Sequence, residues 1–275
     1  MARVAVVTGS NKGIGFAIVR ALCKQVENGV VYLTSRDEGR GQAAVEELKK
    51  ENLNPRFHQL DVNDQKSIDR LRDHLVKEHG GLDVLVNNAG IAFKNADPSP
   101  VSVQAPVTLA TNFDALLAVC HTLFPIIRSH GRVCQVASGS GSYTYKKISD
   151  ELKCRFKNTA TEQDVIQLMQ EFIDSAKDGS LKDKGWAEAS YGTSKLGVIT
   201  LSRIQANDIQ ADKSREDILI NSCCPGYVAT DMSSYKGHLT IDEGAVTPVY
   251  LATLPSGAKE PQGKFLQKKQ VNDFW

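Results

Sequence analysis

Net charge is almost absent: 33 Lys and Arg stand against 32 Asp and Glu in 275 residues, a formal balance of +1. Neither a nucleic-acid backbone nor an anionic membrane surface is held without a basic field, so neither is expected as a partner. Cysteine is sparse and irregular, at 23, 120, 134, 154, 223 and 224, with no Cys-x-x-Cys, and no Asn-x-Ser/Thr sequon occurs. A disulfide framework is therefore not expected, and a reduced, cytoplasmic setting is. The six histidines form no His-Glu-x-x-His cluster, and His74 and His79 read as solvated residues of a charged helix, so no metal site is expected. No uncharged apolar run is long enough to cross a bilayer, and the apolar run 4–7 is too short for a signal-peptide core. Repeats and low-complexity tracts are missing as well. What remains is an ordinary apolar content, 41%, in a chain long enough to bury a core unaided.

Two kinds of segment alternate along that chain. Short β-branched runs lie at 4–8, 30–34, 56–60, 84–87, 132–137, 218–223 and 264–266. Helical patterns fall between them at 14–26, 41–51, 67–78, 115–127 and 194–209. The strand runs are continuous rather than alternating, as expected of strands covered on both faces. Strand and helix in turn, joined by right-handed crossovers, predict a doubly wound α/β fold with a parallel sheet, a Rossmann fold, in one domain over 1–275.

The first strand runs into Thr8-Gly9-Ser10-Asn11-Lys12-Gly13-Ile14-Gly15 and then a helix. A strand, a glycine-rich turn and a helix N-terminus together present free N–H groups and a positive dipole end to a pyrophosphate. Gly9 permits the turn, Gly13 a close backbone approach, and Gly15 the packing of helix on strand. The nucleotide is read from the end of the second strand, where an acid binds a ribose hydroxyl and an arginine accommodates a 2′-phosphate. Here Ser35 is followed by Arg36, with Lys12 and Arg40 adding charge, so the cofactor expected is NADP(H). The alternative makes Asp37 the ribose acid and leaves Arg36 solvated.

With 7 tyrosines and 21 lysines among 275 residues, about half a Tyr-x-x-x-Lys pair is expected by chance, and two occur. Tyr191-Gly192-Thr193-Ser194-Lys195 opens a helical pattern, placing both side chains on one face, with small residues between them that admit a flat cofactor. Tyr143 and Lys147 lie in a stretch without a helix-forming pattern, read as loop, which leaves Tyr143 as a pocket wall. A tyrosine of pKa about 10 is a poor donor to a carbonyl, and lowering it by about 3 units needs about 4 kcal/mol. An ammonium about 5 Å away contributes about 3 kcal/mol at an effective dielectric of 20, which assigns the chemistry to Tyr191 with Lys195.

In their order, Thr8 to Gly15, Asp61-Val62, Asn87-Asn88-Ala89-Gly90, Asn112, Ser138, Tyr191/Lys195 and Pro225-Gly226 resemble the short-chain dehydrogenase/reductase family over nearly the whole chain. The resemblance implies that Asp61 and Val62 meet the adenine and that Asn88, Ala89 and Gly90 stand beside the cofactor. Ser138 would bond the substrate carbonyl, Tyr191 donate the proton, and Lys195 bind the nicotinamide ribose and depress the tyrosine. Asn112 would hold a relaying water, Pro225 and Gly226 shape the nicotinamide pocket, and Val228 and Thr230 lie near the carboxamide. Gly139 and Tyr227 would join Ser138 and Tyr191 around the substrate.

Ser138 and Tyr191 are 53 positions apart, far more than most of that family needs. The surplus, about 146–186, reads as an insertion with helical character: Thr159-x-x-Glu162 and Thr161-x-x-Asp164 as capping boxes, then Val165, Leu168, Met169, Phe172 and Ile173 at helical spacing. Such an insert, with Cys223-Cys224-Pro225-Gly226 and Arg36-x-x-x-Arg40, is similar to the monomeric NADPH-dependent carbonyl reductases. That resemblance implies reduction of aldehydes, ketones or quinones by a monomer whose insert covers the helix of Tyr191. Gly139-Ser140-Gly141 departs from the bulky residues usual after the catalytic serine, and Tyr227 stands where tryptophan is common. A narrower steroid or prostaglandin dehydrogenase and a catalytically idle NADPH-binding regulator are the alternatives weighed. Cys223-Cys224 reads as a buried strand end.

Overall fold

The computed structural model describes residues 2–26, 29–94 and 96–275. β1 (Val4–Val7) is buried along its length and runs into α1 (Gly13–Gln25). β2 (Val30–Ser35), α2 (Glu38–Lys49), β3 (Arg56–Gln59), α3 (Gln65–His79) and β4 (Leu82–Asn87) complete the first half. The second half holds α4 (Val101–Leu109), a π-helical turn (Ala110–Asp114), α5 (Ala115–Leu123) and β5 (Ile127–Val136). It continues through α6 (Gly139–Lys147), α7 (Asp150–Asn158), α8 (Glu162–Asp178), α9 (Ser190–Ala211), β6 (Leu219–Cys224), α10 (Ile241–Ala252), β7 (Phe265–Gln267) and β8 (Gln270–Val271).

The strands form one sheet in the order β3-β2-β1-β4-β5-β6-β7-β8, parallel except where β7 meets β8. The doubly wound α/β expectation therefore holds, in a single domain with a helical insertion before Tyr191. The chain order reverses between β1 and β4, the point outside whose carboxyl ends doubly wound sheets bind their ligands. The strand runs read from sequence are all strands, most of them displaced by one to three residues at an end. β8 and helices α4, α6, α7 and α10 carried no strong enough periodicity to be placed.

Local chemistry sets the helix ends. The Asp37 carboxylate caps α2 by accepting from the Arg40 backbone N–H at 2.8 Å, and Gly80 closes α3 with φ 70°. Of the two candidate capping boxes at the insert, the one present pairs Thr161 with Asp164 at the start of α8. Contrary to the loop expected, Tyr143 and Lys147 lie on α6. Ser138 caps that helix, and α6 lies so close to α9 that a Cβ on Gly141 would be 2.9 Å from the Leu196 amide nitrogen. Close contact between glycine-bearing helices, rather than an amphipathic stripe, holds α6 in place.

The insertion docks on α9 through one apolar cluster. Phe156, Val165, Leu168, Met169, Phe172 and Trp186 are buried with Leu196, Val198 and Ile199. Gly197 accommodates Met169, whose Sδ would be 2.6 Å from an added Cβ. Arg203 of α9 donates to the carbonyl oxygens of Phe156, Lys157 and Thr159, capping the end of α7, and its guanidinium lies 5.2 Å from the Trp275 ring. At the opposite end of the sheet the Arg132 guanidinium is wholly buried and donates to Leu254, Gly131, Pro255 and the Asp217 carboxylate.

Two expectations change here. His74 and His79 are not simply solvated: their Nε2 atoms each lie 2.8 Å from the hydroxyl of buried Tyr32, tying α3 to β2. The stretch Val101–Ile126, interrupted by one charged residue, Asp114, is by length and composition apolar enough to cross a membrane, yet 56% of its most apolar window is buried inside the domain.

Candidate active site

The phosphate loop is braced from the β4 side. Thr8 Oγ1 accepts from the backbone N–H groups of Asn88 and Ala89 at 2.9 and 3.0 Å. The Asn88 side chain donates to the carbonyl oxygens of Thr8 and Gly9, both at 3.0 Å. Gly9 stands at φ 60° with Ala89 against it, where a side chain would collide at 2.9 Å. Gly15 is closed against Asn88 in the same way, with 2.5 Å to its Nδ2.

α1 then starts with no capping side chain and no acidic residue in its first turn, whereas α8 and α10 are closed by Thr161 and Thr240. Its leading N–H groups are thus free for an anion, as a dinucleotide pyrophosphate requires. Ile14 lies on the first turn, and Gly13, at φ 60°, faces Thr230, whose methyl would be 3.4 Å from an added Cβ.

Around the expected 2′-phosphate position, β2 ends at buried Ser35 and Arg36 follows exposed. Asp37 is occupied as the α2 cap and pairs with Arg40 at 3.4 Å, which disfavours it as the ribose acid. Lys12 pairs with Asp231 across the loop. Asp61 and Val62 follow β3, and Asp61 accepts from the Asn63 backbone N–H at 3.0 Å. Asn11 sits half-buried in the loop.

The catalytic candidates converge from three elements. β5 ends beneath Ser138, whose hydroxyl accepts from the Ser140 N–H at 3.1 Å and lies near enough to the Tyr191 phenol to act on its acidity. One turn along α9, Lys195 is buried and its Nζ donates to the Val136 carbonyl at 2.9 Å. Asn112 comes from the π-helical turn, a geometry that recurs at functional sites. Its Oδ1 accepts from the Ile91 N–H at 2.8 Å, and its Nδ2 donates to the Ile91 carbonyl and to Ser194 Oγ. Gly90 fits between Asn112 Oδ1 and Lys195 Nζ, 3.0 and 3.5 Å from its would-be Cβ.

The electrostatics differ from the sequence argument. Burial pushes the Tyr191 phenol up to about 12, against the lowering effect of nearby Ser138. Burial also pulls the Lys195 ammonium down to about 8, with the neighbouring Cys223 and Cys224 acting the other way. The ammonium lies 5.8 Å from the centre of the Tyr191 ring and is directed at the Val136 carbonyl, and burial is the dominant influence on the tyrosine. The small residues between the pair also have another purpose: Gly192 is filled by α6, with Thr144 Oγ1 2.0 Å from a would-be Cβ.

The far wall is the segment after β6. Pro225 leads to Gly226, at φ 88°, packed on Leu239, and Val228 bridges to Leu239 before Thr230 meets the phosphate loop. Tyr227 and Tyr143 are half or more exposed, at 50% and 60%. Gly139 lies over Cys224 Sγ, 3.6 Å from a would-be Cβ, and both Cys223 and Cys224 are buried thiols pushed upward by desolvation, as a strand end would be. Sequence reasoning placed Thr8 in the loop without its bracing role and missed Ser194 and Asp231: all three act on partners distant in the chain, which no spacing reveals.

A dinucleotide cradle together with half-buried Ser138 and Tyr191 and buried Lys195 defines the short-chain oxidoreductase class. The chain belongs to the short chain dehydrogenase family, whose model matches residues 3–150 and 179–238 and passes over the stretch between. Carbonyl reductase (NADPH) 3 of Rattus norvegicus is 52% identical over 273 residues, covering 99% of this chain and 98% of that protein. Carbonyl reductase (NADPH) 1 of Homo sapiens is 50% identical over 272 residues, with 98% of each covered. Salutaridine reductase of Papaver somniferum superposes with a TM-score of 0.84 at 31% identity, over 96% of this chain and 99% of that one.

Proposed function

We propose that this chain is an NADPH-dependent reductase of small carbonyl compounds, aldehydes, ketones or quinones, with Tyr191 as proton donor. The observation that carries the proposal is buried Lys195 one turn from Tyr191, with Ser138 near the phenol, in a chain whose α1 starts uncapped after a glycine-rich loop. When bound, NADPH supplies the hydride. Gly9, Asn11, Lys12, Gly13, Ile14 and Gly15 would hold its pyrophosphate side, and Arg36, Lys12 and Arg40 its 2′-phosphate. The ion pairs of Lys12 and Arg40 are solvent-exposed and worth little, so both side chains can exchange partners for a phosphate dianion. Asp61 and Val62 would flank the adenine, and Ala89, Gly90, Pro225, Gly226, Val228 and Thr230 the nicotinamide half.

Ser138 donates to the substrate oxygen and Tyr191 gives up its proton to it as negative charge develops there. Lys195 then has the ammonium protons to restore Tyr191, and Asn112 fixes the turn and the Ser194 hydroxyl beside them. Gly139 and Tyr227 border the substrate. Tyr191→Phe should cut NADPH-dependent reduction about 10²–10⁴-fold with NADPH binding kept. Full activity in that variant rules the mechanism out. A panel of menadione, isatin and a keto-steroid separates the readings: turnover of several supports the broad reductase, of the steroid alone the narrow one. No turnover despite tight NADPH binding supports the regulator.

The insert's cover over α9 supports a monomer, which sedimentation at micromolar concentration tests, and six free thiols suit a reducing cytoplasm.

A further inference from the structure

A line of buried side-chain amides runs from the sheet to the insertion, and every link points the same way. Asn87 Nδ2 donates to Gln135 Oε1 at 2.9 Å, Gln135 Nε2 to Gln205 Oε1 at 3.2 Å, and Gln205 Nε2 to Glu162 Oε1 at 2.8 Å. Asn87, Gln135 and Gln205 are each at most 3% exposed and lie on β4, β5 and α9, while Glu162 is the first residue of α8. Its other oxygen meets His121 Nε2 at 2.6 Å, so both carboxylate oxygens are engaged.

An amide can be turned end for end with little change of shape, so a chain of amides alone has two directions. A carboxylate accepts only, and it forbids the reversed chain, which would set Gln205 Oε1 against Glu162 Oε1. The direction chosen leaves Asn87 Oδ1 buried without a partner, while Cys120 Sγ accepts from both Asn87 Nδ2 and Gln135 Nε2 and favours the same direction. Asn87 adjoins Asn88, whose side chain holds the carbonyl oxygens of Thr8 and Gly9 in the phosphate loop.

We propose that Glu162 of the insertion is a positioning residue for the cofactor loop, acting through Gln205, Gln135 and Asn87 on Asn88. The insertion then does more than cover α9: it orients the end of β4. The inference rests on the cofactor reading above, because the loop that Asn88 braces is the one assigned to NADPH.

The test uses full-length protein, with NADPH affinity from a fluorescence titration, steady-state kinetics and the side-chain amide signals of 15N-labelled enzyme. Glu162→Ala should weaken NADPH about fivefold or more with kcat at saturation nearly unchanged, and should shift the side-chain NH₂ signals of Gln135 and Gln205. Phe156→Leu, which loosens the same insertion without touching the chain of amides, should lower Tm and leave affinity and those signals alone. A folded Glu162→Ala protein with unchanged affinity or unchanged amide signals overturns the proposal. Equal weakening by Phe156→Leu overturns it too, since the effect would then be loss of docking. A wild-type protein that binds no NADPH retires the cofactor reading instead, while the amide signals still decide whether Glu162 directs the chain.

Discussion

Gly192 separates two accounts of why small residues lie between Tyr191 and Lys195. A Cβ there would be 2.0 Å from Thr144 Oγ1, 3.1 Å from the Ser140 carbonyl and 3.2 Å from Thr144 Cβ. Ordinary contact begins near 3.4 Å, and a β-branched residue on a helix has few rotamers to retreat into. Gly192→Ala should therefore push α6 off α9 by about 1 Å, at an overpacking cost of about 1–3 kcal/mol. For a domain of this size that is a fall in Tm of about 2–6 °C. Ser138 heads α6 beside Tyr191, and a misplacement of about 1 Å costs up to about 10²-fold, or about 2.7 kcal/mol of barrier. NADPH oxidation at saturating cofactor should drop between about tenfold and a hundredfold, with the NADPH dissociation constant nearly unchanged. Adding Thr144→Ala removes the hydroxyl in conflict and should return most of the loss. The reasoning fails if Gly192→Ala weakens NADPH binding about tenfold or more while Tm and turnover at saturating cofactor stay as they were, because the glycine would then be making room for the nicotinamide.

Arg36→Ala should raise the KM for NADPH about tenfold or more and leave that for NADH unaltered; equal effects on both would remove Arg36 from the phosphate site. Arg132→Met should destabilise the fold by about 3–5 kcal/mol in denaturant titrations, because it removes the buried cation from the Asp217 carboxylate and from the carbonyl oxygens of Gly131, Asp217, Leu254 and Pro255, with turnover per folded molecule preserved. Burial alone would raise Asp217, but the Gly257 N–H, His130 and Arg132 hold it down at about 2. Its folded pKa is below the unfolded value, so its stabilisation is present above about pH 4 and lost as pH falls toward 2; Asp217→Asn should flatten that acid limb. In the free enzyme Lys195 loses its proton near pH 8, so kcat/KM for reduction should be level through pH 7 and fall above 8. A profile still level at pH 9 would deny the charged lysine a part.

The fold was legible because β1, β2, β4 and β6 are buried on both faces and so read as unbroken apolar runs before helices of clear period. The candidate site was legible where its parts are consecutive, as in 8–15 and 191–195, and where a resemblance supplied the order of the rest. α6 was not, because its register comes from Gly141 packing on Lys195 and Leu196 and from Gly192 packing on Thr144, contacts that leave no periodic trace in Gly139-Ser140-Gly141. His74 and His79 were misread for a similar reason: their partner, the Tyr32 hydroxyl, lies on another element. The amide chain to Glu162 is also invisible to pattern, since Asn87, Gln135, Gln205 and Glu162 have no spacing in common.

The Tyr–Lys pair shows where a pairwise estimate from sequence stops. An ammonium about 5 Å from a phenol supplies about 3 kcal/mol toward tyrosinate only if both groups keep some solvent and the cation faces the oxygen. Here the ammonium is turned onto the Val136 carbonyl and the pair is enclosed by α6, Gly90 and Cys224, so desolvation dominates both groups. It opposes whichever form is charged, raising Tyr191 and lowering Lys195. At neutral pH the free enzyme then holds a neutral phenol beside a protonated lysine. That is the starting state a proton donor to a carbonyl needs, and stabilisation of tyrosinate is required only once charge has begun to move.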